Sequence, residues 1–221
     1  MTQAIAIFGA GGSGREVLQI VEDINAQQAT WSCAGFLVDA AFAGAGPVAG
    51  LPVLGDLDWL AAHPEVQVVV ALGSPAARRR IVRRIEARCG NRFATLVHPR
   101  AWVGSRVEIG AGTVVCAGAM VTNDIRIADH VQVNVGCTVS HDSVLEDFVT
   151  LSPGVNVCGN VHIHEGTEVG AGTAIIPRCA LGSWSIVGAG AVVTRAVPEN
   201  VTAVGVPARV IATRAPDWHL A

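Results

Sequence analysis

The sequence predicts a small N-terminal α/β domain with a mainly parallel, Rossmann-like sheet, followed by a long parallel β-helix. Three observations carry this. Short apolar runs alternate with helical patterns up to about Arg88, and 17 aliphatic residues then recur six apart without a miss, from Val97 to Val193. The third is composition: 25 glycines and no tyrosine among 221 residues point to a compact repeat with few aromatic anchors.

In chain order, residues 5–8 read as a strand and 15–25 as a helix, with strands again at 32–38 and 66–72. Pro75 opens a second helix running to 88, since a first helical turn tolerates proline. Strands alternating with helices imply a parallel sheet with crossover helices in three layers. From Val97 the period is six, which matches neither the 3.6 of a helix nor the 2 of an ordinary strand but suits a flat-sided coil. Two residues before each aliphatic stand small or medium side chains such as Thr113, Cys137, Ser143 and Thr173, fit for a narrow interior. Gly104, Gly110, Gly170, Gly182 and Gly188 directly follow an aliphatic, where a corner is expected to need positive φ. The pattern resembles the hexapeptide-repeat, left-handed β-helix proteins, in which three hexads make a coil of 18 residues. It divides the chain into residues 1–96, 97–195 and a non-repeating tail, 196–221, that covers an end of the solenoid or reaches a neighbouring subunit.

A formal net charge of −3 leaves no broad basic field, so nucleic acid is not an expected partner. The cluster Arg78, Arg79, Arg80, Arg83, Arg84 and Arg88 reads as a solvated helix face. Mean hydropathy is +0.46, yet charges interrupt every apolar stretch, and no membrane insertion is expected. Residues 1–8 lack an export pattern, so a cytoplasmic location is the default, with the six cysteines as free thiols.

Two segments could carry chemistry. Gly9-Ala10-Gly11-Gly12-Ser13-Gly14 lies between a strand and a helix, where glycines let the backbone approach a phosphate and helix N-terminal amides donate to it; a tight turn is the alternative. Asp39, ending the next strand, stands where a carboxylate meets a ribose hydroxyl. His141-Asp142 pairs a candidate general base with a carboxylate, unless it is a surface histidine on a corner. Gly159, 18 residues on, should stack beside His141. His162 and His164 have a two-residue metal spacing, but they and His141 fall at different hexad offsets and no acidic set completes them, so no metal is expected.

The Gly-rich opening, Gly35-Phe36-Leu37-Val38-Asp39, Ala71-Leu72-Gly73-Ser74, Leu96-Val97-His98-Pro99, Val139-Ser140-His141-Asp142 and Gly205-Val206-Pro207-Ala208-Arg209 together resemble the sialic-acid O-acetyltransferase-like family of bacterial sugar acetyltransferases over the whole chain. The resemblance implies a homotrimer that moves acetyl from acetyl-CoA to a nucleotide-linked 4-amino-4,6-dideoxy sugar, GDP-perosamine first, in O-antigen biosynthesis. It implies His141 as base, Asp142 as its partner and the Gly159 amide as oxyanion donor. Gly11, Gly12, Ser13, Asp39 and Gly73 would bind the nucleotide sugar, and Thr150, Gly159, Ala171 and Ala189 the CoA. Many relatives carry a second histidine where this chain has Thr150, which cannot take up a proton near neutrality. An O-acetyltransferase and a non-catalytic trimeric scaffold are the competing readings.

Overall fold

The computed structural model describes residues 2–42, 46–90 and 92–220. Strand β1 (Gln3–Phe8) leads into α1 (Gly12–Gln27), then β2 (Trp31–Leu37), β3 (Val53–Gly55), α2 (Leu57–Ala62), β4 (Gln67–Val70) and α3 (Pro75–Cys89). The four strands form a wholly parallel sheet in the order β3-β2-β1-β4. Alternation along β1 builds the three layers, because successive side chains point to opposite faces. Ile5 and Ile7 pack with Val17, Leu18 and Val21 of α1. Ala6 and Phe8 pack with Leu57 and Leu60 of α2 and with Ile81, Val82 and Ile85 of α3. The strands and helices predicted from sequence are all present, and β3 and α2 are additions. Both are short, and α2 owes its start to Asp56, whose carboxylate accepts the Asp58 N–H at 2.8 Å.

From Leu96–Val97 onward the chain winds through short strands that form three flat faces. Every parallel strand pair between Leu96 and Val193 joins residues 18 apart, as in Val121↔Val139, Leu145↔Ile163 and Leu151↔Val169. The aliphatic ladder from Val115 to Val193 is sealed inside, with the first three rungs, Val97, Val103 and Ile109, only partly buried. Small side chains at the other inward position satisfy themselves across the corner. Thr113, Thr167 and Thr173 each donate to a carbonyl 15 residues ahead, at 2.8–3.1 Å.

The corners correct one expectation. Positive φ does not fall on Gly104, Gly110, Gly170, Gly182 or Gly188; it falls on every sixth residue from Arg106 to Gly190, at 56–72°, whether that residue is glycine or not. Crowding explains the first set. A Cβ on Gly170 would lie 2.5 Å from the Ala189 nitrogen, so the next coil excludes any side chain there.

After Val193, Val197, Val201, Ala203 and Ala208 continue the core and close the end of the solenoid. The strands Val201–Val204 and Arg209–Thr213 then form an antiparallel pair on one face, the second strand exposed throughout. Among the described residues no helix is long and apolar enough to cross a membrane. All six cysteines are free, as expected.

Candidate active site

The arginine cluster on α3 is not a uniformly solvated face, and the correction matters for how the two halves meet. Arg78 is wholly buried at the junction. Its guanidinium donates to the carbonyls of Leu72 (2.6 Å) and Gly73 (3.2 Å) before α3, and to His130 (2.9 Å) and Phe148 (2.7 Å) on solenoid corners. It also reaches Thr150 Oγ1 at 2.9 Å, and that hydroxyl donates to the Gly73 carbonyl at 3.1 Å. Burial pushes the Arg78 pKa down to about 9, which still leaves it charged at neutrality. The other arginines are tied down more loosely, Arg79 to Glu165, Arg83 to Glu86 and Arg88 to Asp58.

One column of the solenoid supplies the surface on which α3 rests. Residues 112, 130, 148, 166 and 184 stack a coil apart as Gly, His, Phe, Gly and Trp. His130 lies parallel to Phe148 with ring centroids 5.2 Å apart, and Trp184 stacks on His219 of the tail at 3.8 Å. Gly112 and Gly166 leave the room that the His130 and Trp184 rings fill. His98 is buried nearby in the first coil and bonds Asp23 of α1 at 2.7 Å.

At the carboxyl ends of β1 and β2 a cavity of about 550 Å³ opens, lined by Gly9, Ala10, Gly11, Val38, Asp39, Leu72 and Arg80 among others. This is where an open parallel sheet receives ligands. Of the residues expected to bind a nucleotide sugar, Gly11 and Asp39 line it. Gly12 and Ser13 sit in the first turn of α1, and Gly73 faces the Arg78–Thr150 network instead. Asp39 is held by both Arg84 nitrogens at 2.8–2.9 Å, and that pairing keeps its carboxyl below the ordinary range. The carboxylate is therefore oriented before any ligand arrives, by a partner the sequence pattern did not disclose.

The second site lies on a solenoid corner. His141 Nδ1 meets Asp142 Oδ2 at 2.8 Å, both side chains being about half exposed (56% each). Asp142 occupies the left-handed corner position (φ 59°), which turns its carboxylate back toward the ring. A Cβ on Gly159 would lie 2.7 Å from His141 Cε1 and 2.8 Å from Nε2, so the imidazole rests on bare glycine backbone. The Gly159 carbonyl accepts from the Arg178 N–H at 3.1 Å, whereas its own N–H meets no protein acceptor among the described residues. The same holds for the exposed Ala171 and Ala189, one above the other in their column. Thr150, by contrast, is buried with its hydroxyl engaged at the junction.

The histidine pair corrects a further expectation. An acid does stand beside it: Glu146 Oε1 lies 2.7 Å from His162 Nε2 and 3.1 Å from His164 Nδ1.

Comparison with known proteins agrees with both halves. The family model of the PglD N-terminal domain matches residues 4–85, and that of the bacterial transferase hexapeptide repeats matches residues 160–195. The acetyltransferase domain of PglB from Neisseria gonorrhoeae superposes with a TM-score of 0.85 at 33% identity, over 95% of this chain and 100% of that one. PerB from Caulobacter crescentus, solved with CoA and GDP-perosamine, gives 0.86 at 30% over 96% and 99%. WeeI from Acinetobacter baumannii gives 0.84 at 32% over 95% and 100%. The serine acetyltransferase of Buchnera aphidicola is 30% identical over 129 residues, and the chain spans 42% of that protein's length. The chain belongs to the bacterial nucleotide-sugar acetyltransferase family, built from a PglD-type N-terminal domain and a left-handed β-helix of hexapeptide repeats.

Proposed function

We propose that the protein transfers acetyl from acetyl-CoA to the 4-amino group of a nucleotide-linked 4-amino-4,6-dideoxy sugar, with GDP-perosamine the first candidate. The observation that carries this reading is the exposed His141–Asp142 pair lying on Gly159, whose N–H meets no acceptor among the described residues. The Neisseria gonorrhoeae domain has been solved with acetyl-CoA and the Caulobacter crescentus enzyme with CoA and GDP-perosamine, which supports the substrate classes.

In the proposed mechanism Asp142 fixes the proton of His141 on Nδ1, leaving the Nε2 lone pair to act as base. The sugar amine attacks the thioester carbonyl carbon, and Nε2 accepts the proton the amine loses. The Gly159 N–H donates to the oxyanion of the tetrahedral intermediate. Collapse breaks the C–S bond, and the departing thiolate takes the proton back from the imidazolium. The cavity beside Gly11 and Asp39 holds the nucleotide, with Gly12 and Ser13 following in the first turn of α1, while Gly73, next to the lining Leu72, is tied through its carbonyl to the Arg78–Thr150 junction; the Ala171 and Ala189 amides face the pantetheine arm. Thr150 acts through the junction it shares with Arg78 and Gly73. We read the working enzyme as a cytoplasmic homotrimer with CoA between adjacent solenoids, serving O-antigen or related surface glycans.

The test is a mass-spectrometric screen of GDP-, UDP- and dTDP-linked 4-amino sugars, with free sialic acid in parallel, each with acetyl-CoA. A gain of one acetyl group on an amino-sugar nucleotide, GDP-perosamine foremost, is expected. Acetylation of sialic acid alone would establish O-transfer instead, and no CoA binding at all would leave a scaffold.

A further inference from the structure

We propose that Glu146, His162 and His164 form a divalent transition-metal site, zinc by the chemistry of its donors, that clamps two adjacent coils of the solenoid. The three donor atoms lie within 4.8 Å of one another. Two imidazole nitrogens and one carboxylate oxygen are a zinc set that leaves a fourth position open.

The register brings them together. Val144 pairs with His162 and Leu145 with Ile163, so Glu146 follows one rung and His164 follows the rung directly above it. Backbone bonds hold both residues: the Glu146 N–H donates to the Ile163 carbonyl and the His164 N–H to the Leu181 carbonyl, each at 2.9 Å. The imidazoles of His162 and His164 stack with centroids 4.0 Å apart, which aims His162 Nε2 and His164 Nδ1 at the same carboxylate oxygen. The other oxygen, Oε2, accepts the Glu165 N–H at 3.0 Å, the kind of outer bond that fixes a ligating carboxylate.

Around an ion with ligand bonds of about 2.0–2.1 Å, tetrahedral donors stand roughly 3.3 Å apart. The present separations from Glu146 Oε1 are 2.7 and 3.1 Å, so an opening of a few tenths of an ångström admits the metal. Beside the cluster lies a cavity of about 270 Å³ whose wall includes Glu146, Asp147 and Glu165. It gives an entry path and room for a water on the fourth position, with Arg126 on the same wall and Arg79 on Glu165 balancing the neighbouring acids. All three residues are half-buried, which spares them part of the competition with bulk water. The site uses neither His141 nor the nucleotide cavity, so it stands independently of the proposed reaction.

The experiment uses the full chain, stripped with EDTA and desalted, titrated with zinc alone by calorimetry and with Co²⁺ by visible absorption. One equivalent per chain is expected, with a zinc-dependent rise in melting temperature and cobalt d–d bands lacking a thiolate charge-transfer band. Glu146→Gln and the double variant H162Q/H164Q should each weaken binding at least by the roughly 10–100-fold that loss of even an outer-shell partner costs. Their melting in EDTA, compared with the parent, separates loss of a ligand from loss of the fold. Equal zinc affinity in the folded variants, a thiolate band in the parent, or no saturable zinc binding would each overturn the proposal. Should both variants unfold, the cobalt spectrum of the parent decides.

Discussion

His141 has the room it needs only because residue 159 has no side chain. Gly159→Ala would place a methyl carbon 2.7–2.8 Å from the imidazole and drive it off the backbone amide. A displacement of that size at a reacting pair is expected to cost about 100-fold in turnover, with nucleotide-sugar affinity retained; steady-state kinetics and calorimetry on one preparation would show the two effects separately. His130 offers a prediction in pH. Burial pushes its pKa down from 6.5 to about 4, so between those values the unfolded chain binds a proton that the folded chain refuses. Stability should therefore fall as pH drops from about 6.5 to 4, by as much as about 3 kcal/mol from this residue. His130→Phe removes the titrating ring, and the same column already holds Phe148 at φ 61°. Denaturant unfolding should be flatter with pH in the variant, and an identical slope in both proteins would refute the assignment.

At the scale of elements, glycines of two kinds turn the corners, and substitution should tell them apart. Gly172 is at φ 67° with nothing within 4 Å of a built Cβ, while Asn160 occupies the equivalent corner at φ 58°. Gly172→Asn should be nearly neutral, because asparagine tolerates the left-handed region. Gly170→Ala should cost about 1–3 kcal/mol by overpacking against Ala189. Equal unfolding midpoints for the two variants would contradict this division. The sequence showed that glycines punctuate the hexads but not why, since positive φ is set by position in the coil and the crowding by a neighbour 19 residues away. The buried end of α3 was hidden for the same reason. Arg78 sits in a run of arginines that reads as solvated, and only the docking of α3 onto His130 and Phe148 turns it inward. Arg78→Met would leave several buried carbonyls without donors at about 1–3 kcal/mol each, so a loss of at least 3 kcal/mol is expected in the same assay.

For the whole molecule, the six-residue period made the solenoid legible, and its 18-residue coil sets His141 against Gly159. The strand–turn–helix opening made the first domain legible as well. What pattern could not give were contacts between residues far apart in sequence, as in the Arg84 clasp on Asp39 and the junction that takes up Thr150. Glu146 beneath the two histidines was in principle within reach, because it stands 18 residues before His164 in a chain whose coil is 18 residues. The assembled molecule thus sets a nucleotide-sized cavity in one half and a histidine on glycine backbone in the other, joined by a buried arginine. The claim that His141 is the base is tested most directly by single-turnover acetyl transfer in His141→Asn, with sugar-nucleotide affinity measured on the same sample. A rate lowered by about 10²–10⁴-fold with affinity nearly unchanged is the predicted result, and an unchanged rate would contradict it.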